Sequence, residues 1–194
     1  MMNGNRTPAL WKAGATLLLS APMMVSAESY VIDERHTFPS FEVSHIGFST
    51  QRGRFDKTTG RITVDRERKT GSIRVAIDAN SIDTGLTELE ERLKKEDFFH
   101  TARYPTITYE ADKLVFDGDR PVRAEGTLTL LGVSRPVNLE IRHFHCGTHP
   151  ISRKDVCGAD AAATIQRSDF GLKAFLPAVG DEVKILIQVE GFRE

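Results

Sequence analysis

Two cysteines, one tryptophan and no apolar run long enough to cross a bilayer are what this 194-residue chain has least of. Each scarcity excludes something. With no Cys-x-x-Cys-His, covalent attachment of a c-type haem is ruled out. The longest apolar stretch, residues 13–25, is broken by Ser20 and Pro22, and it falls short of a spanning helix. No Gly-x-Ser-x-Gly elbow, phosphate loop, His-Glu-x-x-His or dinucleotide fingerprint occurs, so no catalytic or metal-ligating residue is assigned. His36, His45 and His100 could meet Asp33 or Asp97, but carboxylates near histidines are common on any surface.

The first 27 residues read as a cleavable secretory leader. Arg6 and Lys12 form a basic start, a small-residue apolar stretch follows, and Val25-Ser26-Ala27 fits the small-x-small cleavage rule. No cysteine follows the cleavage point, which argues against a lipoprotein anchor. Without Arg6 and Lys12 the 26 Lys and Arg fall to 24, against 27 Asp and Glu. A mildly acidic mature chain is a poor partner for nucleic acid. Trp11 leaves with the leader, whereas all eleven phenylalanines stay. Residues 28–194 then make one domain of ordinary size. In an exported chain Cys146 and Cys157 are expected to form a disulfide. The competing reading is a metal site shared with His143, His145 and His149; the oxidising compartment favours the bridge.

What is abundant is alternation with a period of two. Ile62 and Val64 share a face, as do Ile73, Val75 and Ile77, then Ile107, Tyr109 and Ala111. The pattern continues through Val122, Ala124, Gly126, Leu128 and Leu130, then Val137, Leu139 and Ile141. Ala161, Ala163 and Ile165 follow, and Val183, Ile185, Ile187 and Val189 end it. The other parity is mostly polar, as antiparallel strands with one wet face require. Turn signals stand at Thr59-Gly60, Thr70-Gly71, Asp117-Gly118, Leu131-Gly132 and Gly180-Asp181. Eight or nine such strands need a sandwich or a closed barrel to manage their edges. Charged outward faces argue against a transmembrane barrel.

Two segments depart from the rhythm. Leu86, Leu89 and Leu93 fall at helical spacing, which predicts a short helix near residues 86–96. Thr87 and Glu90 would form its capping box, and Glu88–Arg92, Glu90–Lys94 and Glu91–Lys95 its surface pairs. Phe98 and Phe99 follow, either as a plug over an apolar opening or as plain core. The second segment is 36–48. There Phe41, Val43 and His45 share one parity and Ile46 and Phe48 the other, with Gly47 between. A change of face at a glycine predicts a bulge or sharp coil where a sheet curls into a barrel. The histidine on that oily face either hydrogen-bonds a polar group in the interior or is a core side chain bonded to backbone.

An exported, apolar-lined barrel without reactive groups is most simply a container. A hydrocarbon chain burying on the order of 600 Å² gains ~15 kcal/mol gross at ~25 cal/mol/Å². Ordering and association costs remove much of that gain.

Taken together, the motifs resemble the YceI-like family of secreted lipid-binding proteins. They are His36-x4-Phe41-x-Val43-x-His45-x-Gly47-Phe48, Gly53-x-Phe55, Ser81-Ile82-Asp83-Thr84-Gly85, Arg92-Leu93-x3-Asp97-Phe98-Phe99 and Tyr104-Pro105. Gly126-x-Leu128-x-Leu130-x-Gly132-Val133-x-x-Pro136-Val137-x-Leu139 and Arg167-Ser168-Asp169-Phe170-Gly171 complete the set. The resemblance spans residues 30–192. It implies an all-β fold, a lipocalin-like, elongated antiparallel barrel of about eight strands with a short helix beside it. It implies a long isoprenoid or related amphiphile, or a quinone-like lipid, as ligand and no other cofactor. Phe41, Val43, His45, Phe48, Phe98 and Phe99 are the lipid-contacting residues it implies. The implied role is a non-enzymatic periplasmic binder or carrier, linked to stress, with a transient inner-membrane partner or a homodimer. An accessory of membrane electron transfer that binds quinone beside a cytochrome b-type partner is the alternative. The cysteine pair and the histidine-rich stretch 143–157 depart from many relatives.

Overall fold

The computed structural model describes Met1 and residues 27–194. The leader lies almost wholly outside the described residues. From Glu28 onward the chain forms eleven strands and one short α-helix. The strands are β1 (Glu28–Ile32), β2 (Phe38–His45), β3 (Ser49–Phe55), β4 (Thr58–Asp65), β5 (Thr70–Asp78) and β6 (Ile82–Asp83). After helix α1 (Thr87–Leu93) come β7 (Thr106–Asp117), β8 (Arg120–Leu130), β9 (Val133–Thr148), β10 (Asp155–Gln166) and β11 (Val179–Arg193).

Eight of them close an antiparallel barrel in the order β1-β4-β5-β7-β8-β9-β10-β11, with β11 paired back onto β1. β11 is long enough to hold two strands end to end along one edge. β1 takes its last residues, Tyr30 opposite Arg193, and β2 takes the rest, Phe38 opposite Gln188. The joint between β1 and β2 is pinned at Glu190. Its carbonyl accepts from the Asp33 amide at 2.8 Å and the Thr37 hydroxyl at 3.3 Å. Asp33 itself accepts from Arg35 and His36 at 3.0 and 2.8 Å, contacts that hold its carboxyl far below the usual range. β3 and β6 extend the sheet beyond β2 as a flap at one end of the barrel.

Three β-bulges shape the ladders between the closing strands, and each reverses the side-chain parity; a further irregularity lies between Val179 and Val183, where β11 meets β2. Asp112 is the extra residue in β7, Val122 in β8 and Arg142 in β9, since each sits between two register pairs that advance by only one on the partner strand. A bulge adds a residue, bends the strand and increases its twist, as closure requires. The inward sequence therefore runs Ile107, Tyr109, Leu114 along β7 and Val137, Leu139, Ile141, Phe144 along β9. Val122, expected inward, is displaced by its own bulge, and Pro121 and Ala124 face the interior instead.

The interior side chains follow the alternation elsewhere. Tyr109 is buried, donates to the carbonyls of Val137 (2.9 Å) and Ala124 (3.2 Å), and burial pushes its phenol up to about 12. Its ring lies over Gly126, where a Cβ would meet Cζ at 2.6 Å, so the glycine is the space the tyrosine fills.

Local readings fared unevenly. Asp117-Gly118 and Leu131-Gly132 are hairpin turns, the latter with both residues at positive φ (53° and 72°). Thr59-Gly60, Thr70-Gly71 and Gly180-Asp181 instead lie inside β4, β5 and β11. Helix α1 is shorter than predicted. Its N-cap is Leu86 without a side-chain cap, and Glu90 reaches back to the Thr84 amide at 3.0 Å rather than closing a box with Thr87. Arg92 pairs with Asp97 and Lys94 with Glu91, not with the residues four positions earlier. No bulge occurs at Gly47. Ile46 and Gly47, at φ 54° and 74°, form a tight turn between β2 and β3, closed by the Phe48 amide on the His45 carbonyl at 3.0 Å.

Cys146 and Cys157 are bonded and sit directly opposite each other on β9 and β10. They clip the far end of the hairpin beside the 149–154 loop. Closing so short a ring contributes about 2–3 kcal/mol. Reduction with a thiol should therefore lower the melting temperature by roughly 5–10 °C, given about 2–4 °C per kcal/mol at this size. A thermal melt with and without reductant checks it; superimposable curves would mean the cross-link adds nothing.

Candidate functional site

The barrel is not packed solid. An apolar cavity runs through it, walled by residues from every closing strand and from β2, with Leu93, Phe98 and Phe99 at the helix end. On β11 the wall extends from Val179 to Gly191. Twelve steps at ~3.3 Å cover about 40 Å of strand, or about 30 Å of barrel axis at a tilt near 40°. That matches the thickness of a bilayer's hydrocarbon core, ≈ 30 Å.

Polar side chains in the wall are few, and all but one are committed internally. Tyr30 donates to Glu28 at 2.7 Å, Ser40 to the Phe38 carbonyl at 3.3 Å, Thr37 to Glu190 and Tyr109 as above. Arg167, 6% exposed, donates to the carbonyls of Gly180 (2.7 Å), Leu172, Ala174 and Val179 (2.9 Å each). Burial lowers its pKa, and the nearby Asp181 carboxylate opposes that shift. Asp181 is itself held below its usual range by the Ser168 hydroxyl and amide, at 2.7 and 2.8 Å. The exception is Thr58, whose buried Oγ1 has no hydrogen-bond partner.

An aromatic cluster closes the wall near α1. Phe55 and Phe99 meet edge to face with centroids 5.5 Å apart, and Phe41 lies 6.1 and 6.4 Å from them. The Phe41 ring covers Gly53 on the neighbouring strand, where a Cβ would stand 2.5 Å from its Cζ. Phe98 turns outward to Phe175 at 6.0 Å, and the Arg92 guanidinium covers both rings at 4.9 and 5.8 Å.

Of the six residues singled out as lipid contacts, Phe41, Val43, Phe98 and Phe99 stand in this wall. His45 does not, and Phe48 is 90% exposed. Both placements have one cause: the chain turns back at Ile46-Gly47, so His45 is the last residue of β2 and Phe48 sits at the hairpin tip. Sequence reasoning missed Phe144, Thr58 and Arg167. For Arg167 a signal existed, since it continues the inward parity of Ala161, Ala163 and Ile165. For Phe144 none did, because the bulge at Arg142 follows from the pairing with β10. That bulge also turns His143 and His145 outward into a groove shared with His36 and His149. Among the described residues no three His, Cys, Asp or Glu side chains are placed to hold a metal ion.

A closed antiparallel barrel with a long apolar lumen is a β-barrel of the lipocalin-like type. The chain belongs to the YceI-like domain family, whose model matches residues 30–191. Protein YceI of Escherichia coli O6:H1 is 35% identical over 183 residues, covering 93% of this chain and 94% of the relative. A UPF0312 protein of Pseudomonas paraeruginosa is 32% identical over 192 residues, covering 97% and 98%. Among solved structures, BcnA of Burkholderia cenocepacia superposes with a TM-score of 0.69 at 21% identity, over 82% of this chain and 98% of that one. A polyisoprenoid binding domain from Saccharophagus degradans, implicated in plant cell wall breakdown, gives 0.65 at 20% identity, over 85% and 98%. At these identities the two structures speak to the fold.

Proposed function

We propose that this protein is an exported, periplasmic binder that carries or stores one long-chain isoprenoid or related amphiphilic lipid in its barrel. The observation that supports this most is the apolar wall from Val179 to Gly191, about as long as a bilayer's hydrocarbon core is thick. The polyisoprenoid binding named for the Saccharophagus domain is consistent with it. The unpartnered Thr58 hydroxyl favours a ligand that carries a hydrogen-bonding oxygen over a plain hydrocarbon. A non-enzymatic role fits the wall, whose titratable side chains Tyr30, Tyr109 and Arg167 are all committed to internal partners. The Cys146–Cys157 bridge suits an oxidising compartment, and no helix among the described residues is long and apolar enough to cross a membrane.

Native mass spectrometry of protein purified from periplasm is expected to show a mass increment of one lipid per chain. Denaturation should release it for identification, which also tells an isoprenoid alcohol or phosphate from a quinone. Protein that is consistently empty after gentle purification would overturn the reading.

A further inference from the structure

One end of the barrel exposes large apolar side chains that the lumen does not use. Phe48 is 90% exposed, Phe175 60% and Ile46 53%. Ile46 and Phe48 flank Gly47 at the β2–β3 tip, and Phe175 lies in the segment between β10 and β11. The two segments are tied together by the Ile46 amide on the Ala178 carbonyl at 2.7 Å. The backbone holds these residues at a cost: Ile46 and Phe175 sit at φ 54° and 59°, a region that favours Gly, Asn or Asp and excludes most β-branched residues. Folding stability alone would place asparagine or glycine there.

The rim is continuous with the lumen. Phe98 belongs to the lumen wall, and its ring stacks on Phe175, which reaches solvent. An apolar path thus runs from the interior to the exposed tip. The opposite end of the barrel is built differently. Its turns read Asp65-Arg66-Glu67-Arg68-Lys69 and Asp117-Gly118-Asp119-Arg120, and Ile151 is the exposed large apolar side chain of its 149–154 loop. One end is charged at its turns, whereas the other presents exposed apolar side chains beside the charged helix α1, whose Arg92 lies over Phe98 and Phe175.

We infer that the Ile46–Phe48 tip and Phe175 form a docking face for a lipid bilayer, through which the barrel exchanges its cargo. The inference rests on the carrier reading for its purpose, but not for its physics. Three apolar side chains at one edge, two of them aromatic, enter the interfacial zone of a membrane while the charged end stays in solvent. A hydrocarbon ligand then passes along Phe175 and Phe98 without crossing water.

The barrel is complete within residues 28–194, and that chain contains no tryptophan. Phe48→Trp in it therefore places a single indole at the tip. With unilamellar vesicles of phosphatidylethanolamine and phosphatidylglycerol, its emission should shift to the blue and be quenched by brominated acyl chains. Phe48→Ser and Phe175→Ser should each weaken vesicle co-sedimentation of the otherwise unaltered chain by roughly tenfold. Ile46→Asn separates docking from folding, because it should raise the melting temperature while weakening vesicle binding. Unshifted emission at saturating vesicle concentration would overturn the inference. So would a dimer that forms through the rim, dissolves on Phe48→Ser and ignores vesicles. Neither readout needs a ligand in the lumen: docking by protein that is always purified empty would remove the carrier reading and leave this one, and lipid-loaded protein that never docks would do the reverse.

Discussion

Val43→Arg is expected to give a folded protein that recovers almost no lipid. Val43 lies in the lumen wall on β2, opposite Val183 and Gln51, two residues before the strand ends at the open hairpin. An arginine there can run its aliphatic stem along the wall and bring its guanidinium to the rim, so the barrel tolerates it. A hydrocarbon chain cannot lie beside it without stripping water from an unpaired cation. That costs several kcal/mol, and ~1.4 kcal/mol is already tenfold in occupancy. Bound lipid should fall by about a hundredfold or more, whereas Val43→Met, of similar polarity, should keep it. Mass spectrometry of the released lipid, paired with a melt to establish folding, is the measurement. Unchanged lipid in a folded Val43→Arg protein would move the ligand's path away from β2.

The second large effect is on stability. Arg167→Leu removes four hydrogen bonds from one buried guanidinium and leaves the carbonyls of Leu172, Ala174, Val179 and Gly180 without that donor. Leu172 and Ala174 belong to the segment that returns the chain from β10, and Val179 and Gly180 open β11, so one guanidinium ties the connection to the strand it leads into. Losing such a network costs about 3–5 kcal/mol. At about 2–4 °C per kcal/mol the melting temperature should drop by roughly 10–15 °C. Arg167→Lys should rescue only part of it, because one ammonium cannot span four carbonyls arranged around a planar fork. A shift under about 2 °C for Arg167→Leu would show that water replaces the guanidinium at little cost.

How much of this was readable beforehand depends on the range of the interaction concerned. The inward parity of Ile73, Val75 and Ile77, and of Ile185, Ile187 and Val189, is a property of each strand alone, and it held. The leader and the cysteine pair were read from composition and spacing; the pair is bonded, and the leader lies outside the described residues. The inward place of Phe144, the outward place of Val122 and the position of Phe48 outside the lumen were not legible, for a common reason. A bulge or a hairpin turn is set by which residue stands across the ladder, and the alternation within a single strand does not record that pairing. Gly47 could serve a bulge or a turn. Ile46 made the turn look unfavourable, since it occupies a φ that isoleucine normally avoids.

The sequence by itself determined an all-β chain with one oily and one charged face per strand, an approximate strand count and the family motifs. Period-two alternation is local chemistry, and it needs no knowledge of partners. Alternation is equally consistent with a packed sandwich and with a hollow barrel. Only the tertiary structure decided between them, through the pairing of Tyr30, Val31 and Ile32 with Arg193, Phe192 and Gly191 that closes the sheet on itself. Closure turned the inward side chains into a wall around a lumen, and the turn at Ile46-Gly47 put Phe48 outside it. The pairing of β1 with β11, between residues roughly 160 positions apart, fixed the ring, and the bond from Ile46 to Ala178 tied the rim to a segment far along the chain, so no local window of sequence contains either.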